Sequence, residues 1–194
     1  MSKLKSVIFL IILFISSTSA SFAGENPKEL KIGESVPDFS ITNYDGNTYS
    51  LSLNSGYTVL MFISCECPYV QPYTSRINAL ANEYSAKGVT FWGVNSNNNE
   101  TTDRVKEHKT EKQYPFPVLK DNASYIADLF GAKKTPEIFV IDKNMTLVYH
   151  GRIDNDKDES KVTSSDLKNA LEELLAGKIV SNASTVSFGC GIKR

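Results

Sequence analysis

The chain has 194 residues, with 21 Lys and Arg against 22 Asp and Glu, which gives a formal net charge of −1. This balance of charge gives no indication of a nucleic acid or an anionic membrane surface as a partner. The three cysteines, Cys65, Cys67 and Cys190, are an odd number and too few for a disulfide-stapled scaffold. We therefore interpret the cysteines as chemically active groups rather than as structural cross-links.

Residues 1–23 are predicted to be a secretory signal peptide. A short basic start at Lys3 and Lys5 precedes an apolar run that is too short for a membrane span, and small residues follow it. Cleavage after Ala23 is the first choice and cleavage after Ala20 the second. Residues 24–194 are then expected to form a single exported domain, periplasmic or secreted, that is not embedded in a membrane after processing.

The first elements of the domain are a hairpin and a buried strand. In residues 37–52 apolar and polar side chains alternate around Asp45-Gly46, which is a strong signal for a β-hairpin turn. Residues 57–63 (YTVLMFI) form a short continuous apolar run, as is typical of a strand that is buried on both faces. We expect the hairpin to lie at an edge of the structure.

A helix is predicted to follow Cys67. From Pro68 onward apolar residues recur at three- and four-residue steps up to Gly88, and Pro72 is expected to kink the helix. Residues 89–94 (VTFWGV) then indicate another buried strand. A strand, a helix and a strand in this order favour a parallel pair of strands.

The rest of the domain continues the alternation of helices and strands. The tail, residues 178–194, shows no strong periodicity. The sequence predicts, in order, a polar helix at about 101–112, a short segment PFPVL at 115–119, a helix at 124–130, strands at 137–142 and 146–151, and a last helix at 166–176. This pattern is that of an α/β domain.

Cys67 lies where the buried strand ends and the predicted helix begins. The free N–H groups and positive end of a helix stabilise a thiolate, so its pKa is expected to fall below the free value of about 8.5. Pro68 suits the first helical position, where an N–H would have no partner. The alternative interpretation is that Cys67 is an unreactive buried thiol, as free cysteines often are.

Several motifs together resemble those of a known family. They are the phrase MFISCECPYV, the pair Thr135-Pro136 before EIFVID, the hairpin after it and the ending SFGCGIK. The chain resembles the thioredoxin superfamily, and most closely the peroxiredoxin-like branch of its alkyl hydroperoxide reductase/thiol-specific antioxidant group. The resemblance implies a thioredoxin-like α/β fold: a central mixed β-sheet flanked by helices, with an added N-terminal β-hairpin.

The resemblance also implies roles for individual residues. Cys67 matches the attacking cysteine of Cys-x-x-Cys, and Val70 stands in place of the resolving one. Pro136 matches the cis-proline, next to which the backbone of Thr135 binds an extended substrate; Pro68 completes this substrate-binding set. The family resemblance implies no metal, flavin or nucleotide cofactor.

Three positions depart from the patterns of related families. The peroxidatic cysteine of peroxiredoxins matches Val70, and their activating arginine falls near Pro136, so neither residue is present. The buried aspartate of thioredoxin matches the apolar Met61. The first two departures weaken a plain peroxiredoxin assignment, and the third removes the proton shuttle that the aspartate supplies in thioredoxin.

A second thiol is expected to resolve the chemistry of Cys67. Cys65 is so near in sequence that it would form only a tight, strained ring, whereas Cys190 lies in a tail able to fold back over the site. Cys190 is favoured and Cys65 is kept as the alternative. The acidic stretch 154–158 lacks the glycine and the glutamate of a calcium loop, so no metal site is predicted.

The sequence thus predicts an exported oxidoreductase in which the Cys67 thiolate takes part in thiol–disulfide exchange. Its expected partners are an oxidised or thiol-bearing exported protein, or a small peroxide, together with an external thiol reductant. The first alternative is a thiol peroxidase that reduces hydroperoxides through a Cys67 sulfenic acid. The second is a redox-inactive module that binds extended polypeptides.

Overall fold

A computed structural model describes residues 30–194 of the chain. The predicted signal peptide lies outside these residues. Among the residues described, no helix is both long enough and apolar enough to cross a membrane.

The domain consists of nine strands and four α-helices within the described part of the chain. The strands are β1 (Ser40–Thr42), β2 (Thr48–Ser50), β3 (Thr58–Phe62), β4 (Thr90–Asn95), β5 (Val118–Lys120), β6 (Lys134–Thr135), β7 (Glu137–Ile141), β8 (Leu147–Gly151) and β9 (Cys190–Gly191). The helices are α1 (Thr74–Ser85), α2 (Thr102–Glu111), α3 (Tyr125–Phe130) and α4 (Asp166–Leu175).

The central sheet has five strands in the order β5-β4-β3-β7-β8. Strand β3 pairs in parallel with β4 and antiparallel with β7, while β4–β5 is parallel and β7–β8 antiparallel. The sheet is therefore mixed, and the predicted parallel pair is confirmed. The parallel half places the carboxyl ends of β3 and β4, and the loops that follow them, at the same edge.

Both faces of the sheet are covered, which is why β3 is apolar throughout. Val59 and Met61 face a core that contains side chains of α1 and α4, whereas Leu60 and Phe62 face a core that contains α3. The hairpin of β1 and β2 forms its own two-stranded sheet. The hairpin, the flanking helices and the mixed sheet predicted from the sequence are all present.

The predicted start of the first helix is wrong. After Cys67 the chain makes a turn in which Val70 N–H donates to the Cys67 carbonyl at 3.0 Å, and a 3-10 turn at Gln71–Tyr73 follows. Helix α1 begins only at Thr74. Pro72 has no N–H to donate to the carbonyl of Pro68, so an α-helical bond is impossible there and the bonds span three residues instead.

The tail contains a strand that its sequence did not predict. Strand β9 pairs antiparallel with β6, so that Thr135 lies opposite Cys190 and Lys134 opposite Gly191. Beyond this strand the Ile192 N–H donates to the Lys133 carbonyl at 3.0 Å. The end of the chain is thus fixed against the segment that precedes β7.

We expect the apolar face of α4 to contribute strongly to stability. Leu171 has no exposed surface, so Leu171→Ala removes buried apolar atoms and leaves a cavity; the free energy of unfolding should fall by about 2–5 kcal/mol. Urea denaturation measures this change. Leu53 is 80% exposed, and the same substitution there should change the free energy by no more than about 0.5 kcal/mol. Equal losses for the two variants would contradict this packing.

Candidate functional site

Cys67 lies just beyond the carboxyl end of β3, in the turn before the 3-10 helix. Its side chain is buried, with the whole residue only 2% exposed, and its Sγ donates to the carbonyl oxygen of Thr135 at 3.2 Å. The Thr135–Pro136 peptide bond is cis. Pro68 is exposed beside the thiol, whereas Val70 is fully buried in the core.

Cys190 reaches the same place through the pairing of β9 with β6. It lies opposite Thr135, whose carbonyl oxygen accepts the Cys67 thiol. Both cysteines are free thiols and both line one cavity of about 200 Å³. The cavity is completed by Ser64, Glu66, Asn97, Asn99, Glu100, Gly191 and Lys193. The structure therefore brings together Cys67, Cys190, Thr135 and Pro136.

The pKa values of the two thiols are shifted in opposite directions. Burial works to raise the pKa of Cys67, but hydrogen bonds from Cys190, Thr135 and the backbone outweigh it, so the pKa lies below the ordinary thiol value. Burial and the hydrogen bond to Cys67 raise the pKa of Cys190. Cys67 is therefore the thiol that ionises first. Cys190 and Thr135 contribute most to this stabilisation, and the backbone of Tyr69 in the following turn contributes as well. Helix α1 begins only at Thr74, so a turn stands where the sequence suggested the end of a helix.

Cys65 lies in a different environment, although it is only two positions from Cys67. Its Sγ contacts the Arg104 carbonyl of α2 and the Asn95 amide, each at 3.8 Å. Burial, and then the charge of Glu100, raise the pKa of Cys65 to about 12. Cys65 does not line the cavity shared by Cys67 and Cys190. This environment keeps the thiol protonated and unreactive.

Glu100 is a site residue that the sequence analysis missed. It lies in the loop after β4 and is 2% exposed. Its carboxylate accepts hydrogen bonds from the Cys65 N–H at 2.9 Å, the Glu66 N–H at 3.2 Å, and the side chains of Ser64 and Asn95. The carboxylate thus fixes the loop that leads from β3 to Cys67. A single acidic residue in an Asn-rich loop gave no signal in the sequence.

A buried lysine accompanies this carboxylate. Lys120 Nζ donates to Asn95 Oδ1 at 3.1 Å and to the Asn97 carbonyl at 2.8 Å. Asn95 therefore connects the lysine to Glu100. A buried charge of this kind is tolerated only when such partners satisfy it.

The acidic stretch at residues 154–158 has a structural role. Asp154 forms an ion pair with Arg76, whose guanidinium also donates to the carbonyls of Asp156 and Lys157. Within residues 30–194 no group of three or more His, Cys, Asp or Glu side chains is arranged to hold a metal ion.

Comparison with known proteins identifies the family. The model of the AhpC/TSA family matches residues 32–150. The chain belongs to the AhpC/TSA family. It is 27% identical over 181 residues to the thiol-disulfide oxidoreductase ResA of Bacillus cereus, an alignment that covers 90% of this chain and 97% of that protein.

Solved structures share the fold of this chain. An uncharacterized conserved protein from Geobacillus kaustophilus is 34% identical, with a TM-score of 0.78, over 84% of this chain and 92% of that one. The peroxidoxin BcpB of Mycobacterium tuberculosis shares the fold at 22% identity and a TM-score of 0.55, over 76% of this chain and 96% of that one. The resemblance and the thioredoxin-like fold predicted from the sequence are confirmed.

We expect the three thiols to react with an alkylating agent at clearly different pH values. The pKa of Cys67 is lowered and that of Cys65 is raised to about 12. Cys67 should therefore be alkylated first as the pH rises, and Cys65 should stay unmodified until the protein unfolds, because only the thiolate reacts. Peptide mapping by mass spectrometry after brief exposure to iodoacetamide measures each site.

The control is the same reaction in denaturant, where the three thiols should react alike. Alkylation of Cys65 before Cys67 in the native protein would contradict the assignment of environments.

Glu100→Gln should lower stability most at neutral pH. Burial opposes ionisation of Glu100, but its donors outweigh this effect and lower its pKa. The ionised carboxylate therefore stabilises the fold above the unfolded pKa of about 4.3, and this contribution is lost as the pH falls through the folded pKa. The difference in unfolding free energy between wild type and variant should shrink on acidification, as measured by urea denaturation at several pH values.

Glu107→Gln is the matched control, because the Glu107 side chain lies on α2 and is 66% exposed. It should change stability little. A Glu100→Gln penalty that grows toward acid pH would show that the carboxylate is not stabilised by these donors.

Proposed function

We propose that the protein is an exported thiol–disulfide oxidoreductase in which Cys67 is the attacking thiolate and Cys190 the resolving thiol. The observation that carries the proposal is the pair itself: two free thiols that line one cavity, of which only Cys67 has a lowered pKa. A thiolate beside a second thiol is the arrangement that disulfide exchange requires. The similarity to a protein named as a thiol-disulfide oxidoreductase supports the same reaction class.

The reaction begins with attack of the Cys67 thiolate on one sulfur of a disulfide in the partner. The S–S bond of the partner breaks, its second sulfur leaves as a thiolate that takes a proton from water, and Cys67 forms a mixed disulfide. Cys190 then loses its proton to solvent in the cavity and attacks the Sγ of Cys67. The partner leaves fully reduced, and the protein keeps a Cys67–Cys190 disulfide.

An external thiol reductant supplies the two electrons of each turnover by reducing this disulfide to the dithiol. The same steps run in reverse would oxidise a thiol-bearing partner. The direction follows the reduction potential of the Cys67–Cys190 pair relative to that of its partners.

The partner is proposed to bind along Pro68, Thr135 and Pro136, beside the thiol. Strand β9 already pairs with Thr135, so an extended segment of the partner occupies that edge only after the tail has moved away. Release of the tail would also expose Cys67, which is 2% accessible when the tail is bound. The tail thus acts both as the carrier of the resolving thiol and as a cover for the attacking one.

Three variants, each with one cysteine replaced by serine, test the proposal. The substrate is a disulfide-containing peptide and the electron donor is a thiol reductant. Cys67→Ser should abolish exchange, because the nucleophile is lost. Cys190→Ser should accumulate the mixed disulfide, because no internal thiol releases it. Cys65→Ser should keep wild-type exchange, because Cys65 does not line the cavity of Cys67 and Cys190 and its pKa is raised to about 12. Mass spectrometry identifies the mixed disulfide and also reads the N-terminus of the exported protein, expected after Ala23 or Ala20.

Other results would favour the alternatives. A Cys67 that reacts with hydrogen peroxide much faster than a free thiol, forming a sulfenic acid and releasing water, would favour the thiol peroxidase. A phenotype retained in cells that carry Cys67→Ser would favour the polypeptide-binding module. Unchanged turnover in Cys190→Ser would remove Cys190 from the mechanism.

A further inference from the structure

Glu137 is a buried carboxylate at the start of a central strand, immediately after Pro136. The residue is 5% exposed, and the four residues that follow it in β7 are apolar and buried. An isolated carboxylate in such a place is strongly unfavourable unless donors satisfy it. The groups that donate hydrogen bonds to the Glu137 carboxylate therefore indicate which part of the chain it holds in place.

The carboxylate contacts two backbone amides and one imidazole. Its Oε2 accepts hydrogen bonds from the N–H groups of Lys133 at 2.7 Å and Lys134 at 2.8 Å. Its Oε1 is 2.8 Å from Nε2 of His150, whose ring stacks on Phe139 with centroids 4.2 Å apart. Glu137 thus connects the rigid strands β7 and β8 to the short segment that precedes Pro136.

The segment that Glu137 holds is the one against which the tail docks. The Lys133 carbonyl accepts the Ile192 N–H at 3.0 Å, and β6 pairs with β9 so that Thr135 faces Cys190. A Cβ atom at Gly189 would lie only 2.0 Å from the Thr135 carbonyl oxygen, so the tail approaches this backbone as closely as glycine allows. The position of Cys190 therefore depends on the position of residues 133–135.

We propose that Glu137 is a positioning residue for the Cys67–Cys190 pair: its carboxylate fixes residues 133–135 so that the docked tail presents Cys190 to Cys67. The inference rests on the proposed function, in which Cys190 resolves Cys67. Glu137 forms its hydrogen bonds with Lys133, Lys134 and His150 rather than with either thiol, and it acts on the reaction through the backbone of β6.

Two substitutions separate the hydrogen bonds of Glu137 from its charge. Glu137→Ala leaves the N–H groups of Lys133 and Lys134 without this acceptor, so β6 should lose its fixed position. Glu137→Gln keeps an oxygen that can accept both N–H groups, and its amide can donate to the neutral ring of His150. The glutamine variant should therefore retain the position of β6.

The measurement is the equilibrium between the protein and glutathione. One oxidised glutathione and the Cys67–Cys190 dithiol give the protein disulfide and two reduced glutathione molecules, and the equilibrium constant reports how well the two thiols are placed. We expect Glu137→Ala to lower this constant by roughly tenfold or more. Glu137→Gln should stay within about twofold of wild type. Mass spectrometry after acid quenching quantifies the protein disulfide.

The matched control is Leu171→Ala, which weakens the core in α4. It should lower the free energy of unfolding without changing the glutathione equilibrium, because Leu171 takes no part in the pairing of β6 with β9. A purely structural Glu137 would behave in the same way as this control.

A second readout follows the path through Cys190. Because the hydrogen bond from Cys190 helps to lower the pKa of Cys67, Glu137→Ala should move the midpoint of Cys67 alkylation to higher pH. In a Cys190→Ala background the same substitution should give no shift, since the interaction on which it acts is already gone. An equal shift in both backgrounds would overturn the inference.

The two proposals fail in different ways. A wild-type protein that forms no Cys67–Cys190 disulfide with oxidised glutathione would contradict the proposed function itself. A wild-type protein that forms it, together with an unchanged equilibrium constant in Glu137→Ala, would overturn the role of Glu137 alone. If Glu137→Ala does not fold, Glu137→Asp replaces it, because its shorter side chain draws the carboxylate away from the two N–H groups. An unchanged glutathione equilibrium constant in Glu137→Asp would also overturn the role of Glu137.

Discussion

The pairing of the tail with the segment before the cis-proline is the interaction on which the site depends. It places Cys190 opposite Thr135, whose carbonyl accepts the Cys67 thiol. Without it Cys67 would have no thiol near it except that of Cys65, which lies in a different environment. With it, two cysteines far apart in the chain line one cavity, and Cys67 is the one that ionises first. In the proposed mechanism Cys190 takes the role of the second cysteine of Cys-x-x-Cys, whose position is occupied by Val70.

Two buried carboxylates hold the segments that meet at this pair. Glu100 accepts two backbone N–H groups of the loop before Cys67, and Glu137 accepts two from the segment before Thr135. In both segments these N–H groups donate to a side-chain carboxylate, so a charged acceptor takes the place of a backbone carbonyl. The geometry of the thiols is therefore maintained by Glu100 in the loop after β4 and by Glu137 in β7, while Cys67 lies in a turn and Cys190 in the short strand β9.

The order of the elements was predictable because each carries its own periodicity. The continuous apolar run of β3 indicates burial on both faces, and Asp45-Gly46 indicates the hairpin turn. The start of α1 was mispredicted because the apolar spacing from Val70 to Tyr84 is helical even where prolines prevent the helical bonds. Periodicity reports which face is buried, whereas the supply of N–H donors decides where the helix begins.

The sequence by itself determined the thioredoxin-like α/β fold and the membership in the AhpC/TSA family. It also predicted a candidate site made of the cysteines and the Thr135-Pro136 pair. Only the tertiary structure decided how the thiols differ. Cys65 and Cys67 are two positions apart, yet one faces Arg104 and Glu100 while the other faces Thr135 and Cys190. Reactivity depends on the charges and hydrogen bonds around a sulfur. These come from residues that are distant in the chain, and a local sequence pattern does not show which of them will lie beside the sulfur.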